Sequence, residues 1–177
     1  NDVPVIQWDG YGTATKLNDH HYTWGYYINA AAEIGLDNQT WMNTYKPVIN
    51  ELIFDVAYDP SLIEQPQFSY PKTRSWDAYM GHCQAGGMTF LDQEGNNDES
   101  LSEEMHSWAG VIRWGSATGQ SDIETLGIVH YTQAMYAYFT FWRDYFNNYP
   151  TLWVKLKEMG LIPSGSRKIM SPRRGME

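Results

Sequence analysis

Two clusters of carboxylates interrupt an otherwise aromatic and apolar chain. The first lies in LNDHHYTWGYY, from Leu17 to Tyr27, and the second in NNDESLSEEMHSW, from Asn96 to Trp108. Each sets acids beside His, Asn, Ser and Trp, a mixture for which a plain helix core has no use. Breaking a glycosidic bond calls for two carboxyl groups flanking it, one to donate a proton and one to activate water, between walls that can stack on sugar rings. Asp19 in the first cluster and Glu99 and Glu103 in the second are the candidates for that chemistry.

Each acid also has a purely structural reading. Asp19 stands just before a helical pattern, where it can cap free backbone N–H groups. Against this, two histidines and then Trp24, Tyr26 and Tyr27 follow it, and a carboxyl among aromatic walls is kept protonated by desolvation. Glu103 completes a capping box with Ser100, and Glu99 is a favourable charge near a helix N-terminus. Glu99 and Glu103 are four apart, so they share one face of a helix and repel mildly. Holding a ligand or a water would explain both. Glu104 points away from that face and is expected to be solvated.

Two other chemistries are conceivable from the residue types. Asp19-His20-His21 matches a short signature of some manganese phosphoesterases, and His82 and His106 could add ligands. The further Asp-rich motifs after strands are missing, and no His-Glu-x-x-His pair is present. Cys83 beside His82 lacks the local signature of a thiol nucleophile and reads as a buried, inert thiol. The reading therefore calls for no metal and no cofactor.

Composition narrows the partner. The 177 residues are enough for one domain with a real core. The net charge of −9 disfavours nucleic acid and anionic lipid but suits a neutral polysaccharide. Aromatic residues make up 15% of the chain, more than a core of this size requires, so some can line a cleft. One cysteine rules out an internal disulfide. No apolar run approaches the ~18 residues of a membrane span. The chain starts with Asn and shows no signal peptide, so a processed protein or an excised fragment is expected. Asn38-Gln39-Thr40 is a glycosylation sequon of a kind that arises often by chance.

Helices must position these residues. A helical pattern runs from Tyr22 to Ile34 with Gly35 as its stop. A second starts near Pro47 in its first turn and presents Val48, Ile49, Leu52, Ile53 and Val56 to a core, until Asp59-Pro60. Residues 60–98 keep no long period and carry many prolines and glycines. Within them Ser75 to Met80 suits a short helix. Ser100 to Trp114 is helical again, ending at Gly115. Ser121 and Glu124 form a capping box ahead of a long helix to about Phe146, apolar on more than one face and so expected to be well buried. A last helix covers Leu152 to Met159, closed by Gly160. The tail from Ser164 to Glu177 carries four basic residues against one acid and reads as disordered. The fold class is all-α, built from helical hairpins whose loops cluster at one end.

The chain resembles glycoside hydrolase family 81, the inverting endo-β-1,3-glucanases. The similarity is carried by LNDHHYTWGYYINAAAEIG, the segment around Tyr45-Lys46-Pro47, TRSWDAYMGHCQAGGM, NNDESLSEEMHSWAGVIRWG and ETLG, in that order, from about Tyr11 to about Asp144. The resemblance implies an (α/α) toroid, here an incomplete (α/α)6 barrel over residues 1–163 followed by the basic tail 164–177. It implies Asp19 as general acid, Glu99 as general base and Glu103 as a second essential carboxylate. His21, Tyr22, Asp77, His82 and Trp108 are then the candidates for sugar contacts. The implied partner is β-1,3-glucan, outside the cell or in the cell wall, with further family domains alongside. Two departures stand out: Cys83-Gln84 follows Gly81-His82 where the family usually has Ser-Trp, and Leu101 interrupts the usual run of serines between the two glutamates.

Overall fold

The computed structural model describes residues 10–60, 70, 72, 74, 76–78, 81–86, 99–142 and 158–160. Four long helices dominate: α1 (His20–Asp37), α2 (Gln39–Val56), α3 (Leu101–Thr118) and α4 (Ser121–Ala137). A 3-10 turn at Gly10–Gly12 precedes them, and a π-helical turn at Tyr138–Trp142 follows α4. Between α2 and α3 lie two short strands, β1 (Trp76–Asp77) and β2 (His82–Cys83), paired antiparallel with Trp76 opposite Cys83. The mostly helical class agrees with the sequence reading. The hairpin replaces the short helix expected at Ser75 to Met80: Gly81, at φ +76°, turns the chain and donates its N–H to the Asp77 carbonyl at 2.7 Å.

Helices α1 and α2 are joined by Asn38 alone and pack on each other. The Asn38 side chain accepts from the Trp41 N–H at 2.9 Å, capping α2 within the residues of the sequon. Helix α2 therefore begins eight residues before Pro47, which sits inside it on the exposed side. Asn43, whose carbonyl loses its donor to that proline, is exposed too. Ile49, Ile53 and Val56 are buried as expected, whereas Val48 faces outward.

Glycines misled the sequence reading twice, for one reason. Gly35 lies within α1, where an added Cβ would come within 2.9 Å of Met42 Sδ. Gly115 lies within α3, where a Cβ would come within 2.4 Å of the Glu124 backbone nitrogen. Both permit close helix contact rather than ending a helix. The actual stop of α3 is Gly119, in the left-handed region at φ +67°.

The central contact joins α1 to α3. A Cβ on Gly25 would lie 2.8 Å from both Cα and Cβ of Ser107, and one on Gly110 would lie 2.4 Å from Asn29 Nδ2. The helices come close enough for buried Asn29 to donate across the interface to the His106 carbonyl at 2.7 Å while also holding its own Gly25 carbonyl at 3.0 Å. Around this contact the core gathers Ile28, Ala31, Ile53, Phe54, Trp108, Val111 and Trp114, with Ile123, Leu126 and Ala134 from α4. Helix α4 buries one face only: Ile128 and Val129 are exposed, contrary to the burial expected of its apolar sequence. Its contact with α3 runs through Gly115 and Gly127, which use a single side of the helix.

The chain divides into two compact units, Asn1–Ala134 and Met135–Glu177. In the second, α4 gives way to the π-helical turn at Tyr138; residues 143–157, and with them most of the expected last helix, lie outside the described residues, as does the tail. Among the described residues no helix is long and apolar enough to cross a membrane.

Two outcomes follow for stability. Gly25→Ala forces α1 away from the Ser107 backbone and is expected to cost about 2 kcal/mol, read as a lowered urea midpoint by far-UV circular dichroism; an unchanged midpoint would show that the helices separate without cost. The second concerns buried His21. Burial, and after it the charges of His20 and His82, push its imidazole down to about 3 from 6.5. The folded state therefore keeps His21 neutral where the unfolded chain takes up a proton. Its contribution is complete above pH 6.5 and is lost as pH falls from 6.5 toward 3, by up to about 1.4 kcal/mol per pH unit. Urea titrations at pH 7.5, 6 and 5 measure the slope, which His21→Gln should flatten.

Candidate active site

The cleft is built where the starts of α1 and α3 meet. It has a volume of about 730 Å³ and is lined by Asp19, Glu99 and Glu103 together with Tyr11, Tyr22, Tyr26 and Tyr27. That size falls within the range of ligand-binding pockets. All of these residues belong to the first compact unit.

Asp19 precedes α1 in the left-handed region at φ 57°, and its side chain makes no capping hydrogen bond. The capping role considered for it from sequence is thus not the one it plays. Tyr11 and Leu17 share the positive φ, so three non-glycine residues within nine hold a conformation that costs of order 1 kcal/mol or more each. Backbone bonds fix Asp19 there: its N–H donates to the Ala85 carbonyl at 3.0 Å, and its carbonyl accepts from the Thr23 N–H at 2.7 Å.

Below Asp19, a polar clamp secures the first turn of α1. His20 Nδ1 lies 2.5 Å from Asp55 Oδ2, and its Nε2 lies 2.8 Å from the Thr13 carbonyl. The Trp24 indole N–H donates to the same Asp55 oxygen at 2.8 Å. Arg74 grips the other oxygen with Nε at 2.9 Å and Nη2 at 2.7 Å. Burial alone would raise the Asp55 carboxyl, but the hydrogen bond and charge of His20, the Trp24 N–H and the Arg74 charge outweigh it and hold the group below its usual range. One carboxylate thus ties α2, the start of α1 and Arg74 together, and His20 extends the tie to Thr13.

Two tyrosines one turn apart on α1 reach the start of α3. The Ser100 N–H donates to the Tyr22 hydroxyl at 3.1 Å, directly after Glu99. The Tyr26 hydroxyl donates to Glu103 Oε1 at 2.8 Å. That bond, with burial and the Glu103 charge adding to it, raises the Tyr26 phenol above its usual range. Ser100 caps α3 through its backbone carbonyl but makes no side-chain capping bond, so the capping box expected with Glu103 does not form. Glu103 faces the cleft instead.

The other expected positions separate. Of the five proposed sugar contacts, Tyr22 lines the cleft. His21, His82 and Trp108 are buried: the His21 ring packs against Tyr22 at 3.9 Å, His82 Nδ1 lies 2.7 Å from the Cys83 carbonyl, and Trp108 packs against Trp76 and His130. Asp77 sits in the β-hairpin and is not among the residues that line the cleft. Glu104 reverses its expectation. It is 0% exposed, and its Oε1 accepts from the Cys83 N–H at 2.9 Å and the Trp108 indole at 3.1 Å. Among the described residues, no three His, Cys, Asp or Glu side chains are grouped to hold a metal ion.

Sequence reasoning passed over Tyr11 as a cleft residue and Asp55, Arg74 and Glu104 as supports. Asp55 carries a faint signal, an acid within the apolar run LIFDVA. Glu104 carries none, since its partner Cys83 lies in β2, remote in sequence.

Comparison with known proteins supports the architecture. The model of the glycosyl hydrolase family 81 C-terminal domain matches residues 7–162. A glucan endo-1,3-beta-D-glucosidase of Acetivibrio thermocellus is 37% identical over 141 residues, covering 78% of this chain and 18% of that protein. The primary septum glucan endo-1,3-beta-D-glucosidase of Schizosaccharomyces pombe is 40% identical over 109 residues, covering 60% of this chain and 10% of that protein. A family 81 glycoside hydrolase from Clostridium thermocellum, solved as a point mutant, is similar in structure with a TM-score of 0.69 and 34% identity, covering 78% of this chain and 19% of that one. The chain therefore spans less than a fifth of the length of these relatives. With a domain model matching most of its length and helices that superpose on a solved member, this chain belongs to glycosyl hydrolase family 81.

Proposed function

We propose that this chain supplies the catalytic cleft of an endo-acting hydrolase of β-1,3-glucan that inverts the anomeric centre, its helices forming part of an (α/α) toroid over residues 1–163. The observation that carries the reading is that Asp19, at the start of α1, lines one cleft with Glu99 and Glu103, at the start of α3. The endo-1,3-glucosidase names of the relatives support the substrate class. Such a substrate places the work of the protein at a cell wall or outside the cell.

In this mechanism Asp19 protonates the departing glycosidic oxygen. Glu99 takes a proton from a water on the opposite face of the sugar, and that water attacks the anomeric carbon. A single displacement of this kind inverts the configuration and needs the two carboxyl groups roughly 6.5–9.5 Å apart to hold the water between them. Glu103, accepting from Tyr26 in the cleft wall, is placed to orient that water or a sugar hydroxyl. The exposed rings of Tyr11, Tyr26 and Tyr27 offer stacking surfaces for successive glucose units.

Reducing-sugar release from laminarin tests the reading, with the anomer of the first product followed by proton NMR. Asp19→Asn and Glu99→Gln should each lower kcat by about a hundredfold or more while the protein still binds insoluble glucan. Activity that survives both substitutions refutes the assignment; glucan binding without turnover in the wild type would make the chain a binding module instead.

A further inference from the structure

We propose that Glu104 is a positioning residue that holds the proton donor Asp19 at a set distance from the carboxylates of α3; this rests on the functional reading of Asp19 and Glu99. The tyrosines of α1 tie the two helices directly, whereas Asp19 stands before α1 in a left-handed conformation, its carbonyl accepting from Thr23 of the helix. From outside the helix, the Ala85 carbonyl accepts from the Asp19 N–H. Ala85 lies two residues after Cys83, and His82, Cys83, Ala85 and Gly86 are all buried. The Cys83 N–H donates to Glu104 Oε1, in the first turn of α3 and next to Glu103. A short strut thus runs from α3 through Glu104, Cys83 and Ala85 to the backbone of Asp19.

The strut is itself braced. The indole N–H of buried Trp108, one turn along α3, donates to the same Glu104 oxygen. The Trp108 ring is wedged against Trp76, which pairs with Cys83 across the hairpin, and against His130 of α4. Burying a carboxyl group costs desolvation that an apolar side chain of similar size would avoid. Its distinctive contribution here is an acceptor that serves two donors at once. Glu104 touches no reacting atom, so its effect on catalysis passes through the placement of Asp19.

The test compares Glu104→Gln, which keeps a carbonyl acceptor for both donors, with Glu104→Leu, which keeps much of the volume and loses the acceptor. In the full chain, Glu104→Leu is expected to lower kcat on laminarin by about tenfold or more with KM changed less than about twofold, and Glu104→Gln to restore kcat to within about threefold. Amide hydrogen exchange at Asp19 gives a readout that does not depend on turnover. Its rate should rise about tenfold in Glu104→Leu and stay at the wild-type value in Glu104→Gln. Equal losses in both variants, or an Asp19 amide unmoved in Glu104→Leu, overturn the proposal. If circular dichroism shows that Glu104→Leu does not fold, Trp108→Phe takes its place: losing one donor to Glu104 should speed Asp19 exchange about threefold, and no change refutes the strut. A wild type inactive on laminarin overturns the functional reading alone, and Asp19 exchange still decides the positioning.

Discussion

The close approach of α1 and α3 is the constraint on which the rest of the structure depends. Gly25 and Gly110 remove the side chains that would keep the helices apart, and Asn29 bridges the gap with a hydrogen bond to the opposite backbone. The gain is geometric as well as energetic. Close packing of the two helices brings the residues before each N-terminus, 80 positions apart in Asp19 and Glu99, onto a single cleft. A bulkier interface would still bury apolar surface, but Tyr22 and Tyr26 would no longer reach Ser100 and Glu103.

Around that contact the protein devotes several buried and half-buried polar groups to placement. Asp55 gathers His20, Trp24 and Arg74, and Glu104 gathers Cys83 and Trp108. Glu104 is fully buried and Asp55 half-buried, and each connects elements distant in sequence. Desolvation opposes burying either carboxylate, so partners supply the compensation: for Asp55 a guanidinium that donates twice to one oxygen and an imidazole at the other, for Glu104 two N–H donors. The cleft itself is assembled from exposed tyrosines and strained backbone, which these clamps hold in place from below.

Much of the architecture was legible in the residues. Helical periodicity located α1, α3, α4 and the second half of α2, and the two acidic clusters stood out because their polarity contradicts the pattern around them. The misreadings share a cause. Gly35 and Gly115 read as stops because an isolated glycine signals a C-terminus locally, and a partner helix pressing on it is not a local property. Pro47 read as a first-turn residue because its position on the exposed side of a longer helix depends on which face α2 buries. Glu104 read as solvated because its helical position opposes Glu99 and Glu103, and nothing in the adjacent residues announces that a hairpin will cover that side.

By itself, the order of residues determined the helical class, the family resemblance and which acids are candidates for chemistry, since periodicity and motif spacing are written in neighbouring positions. Tertiary structure alone decided which of those acids share a cleft, which histidines and tryptophans are withdrawn into the core, and which carboxylates serve as struts. Those outcomes turn on burial and on hydrogen bonds between residues 20 to 80 positions apart, such as Cys83 with Glu104 and Tyr26 with Glu103. Whether a carboxylate is solvated, buried or aimed at a ligand is set by what packs over it, and that is settled only when the helices meet.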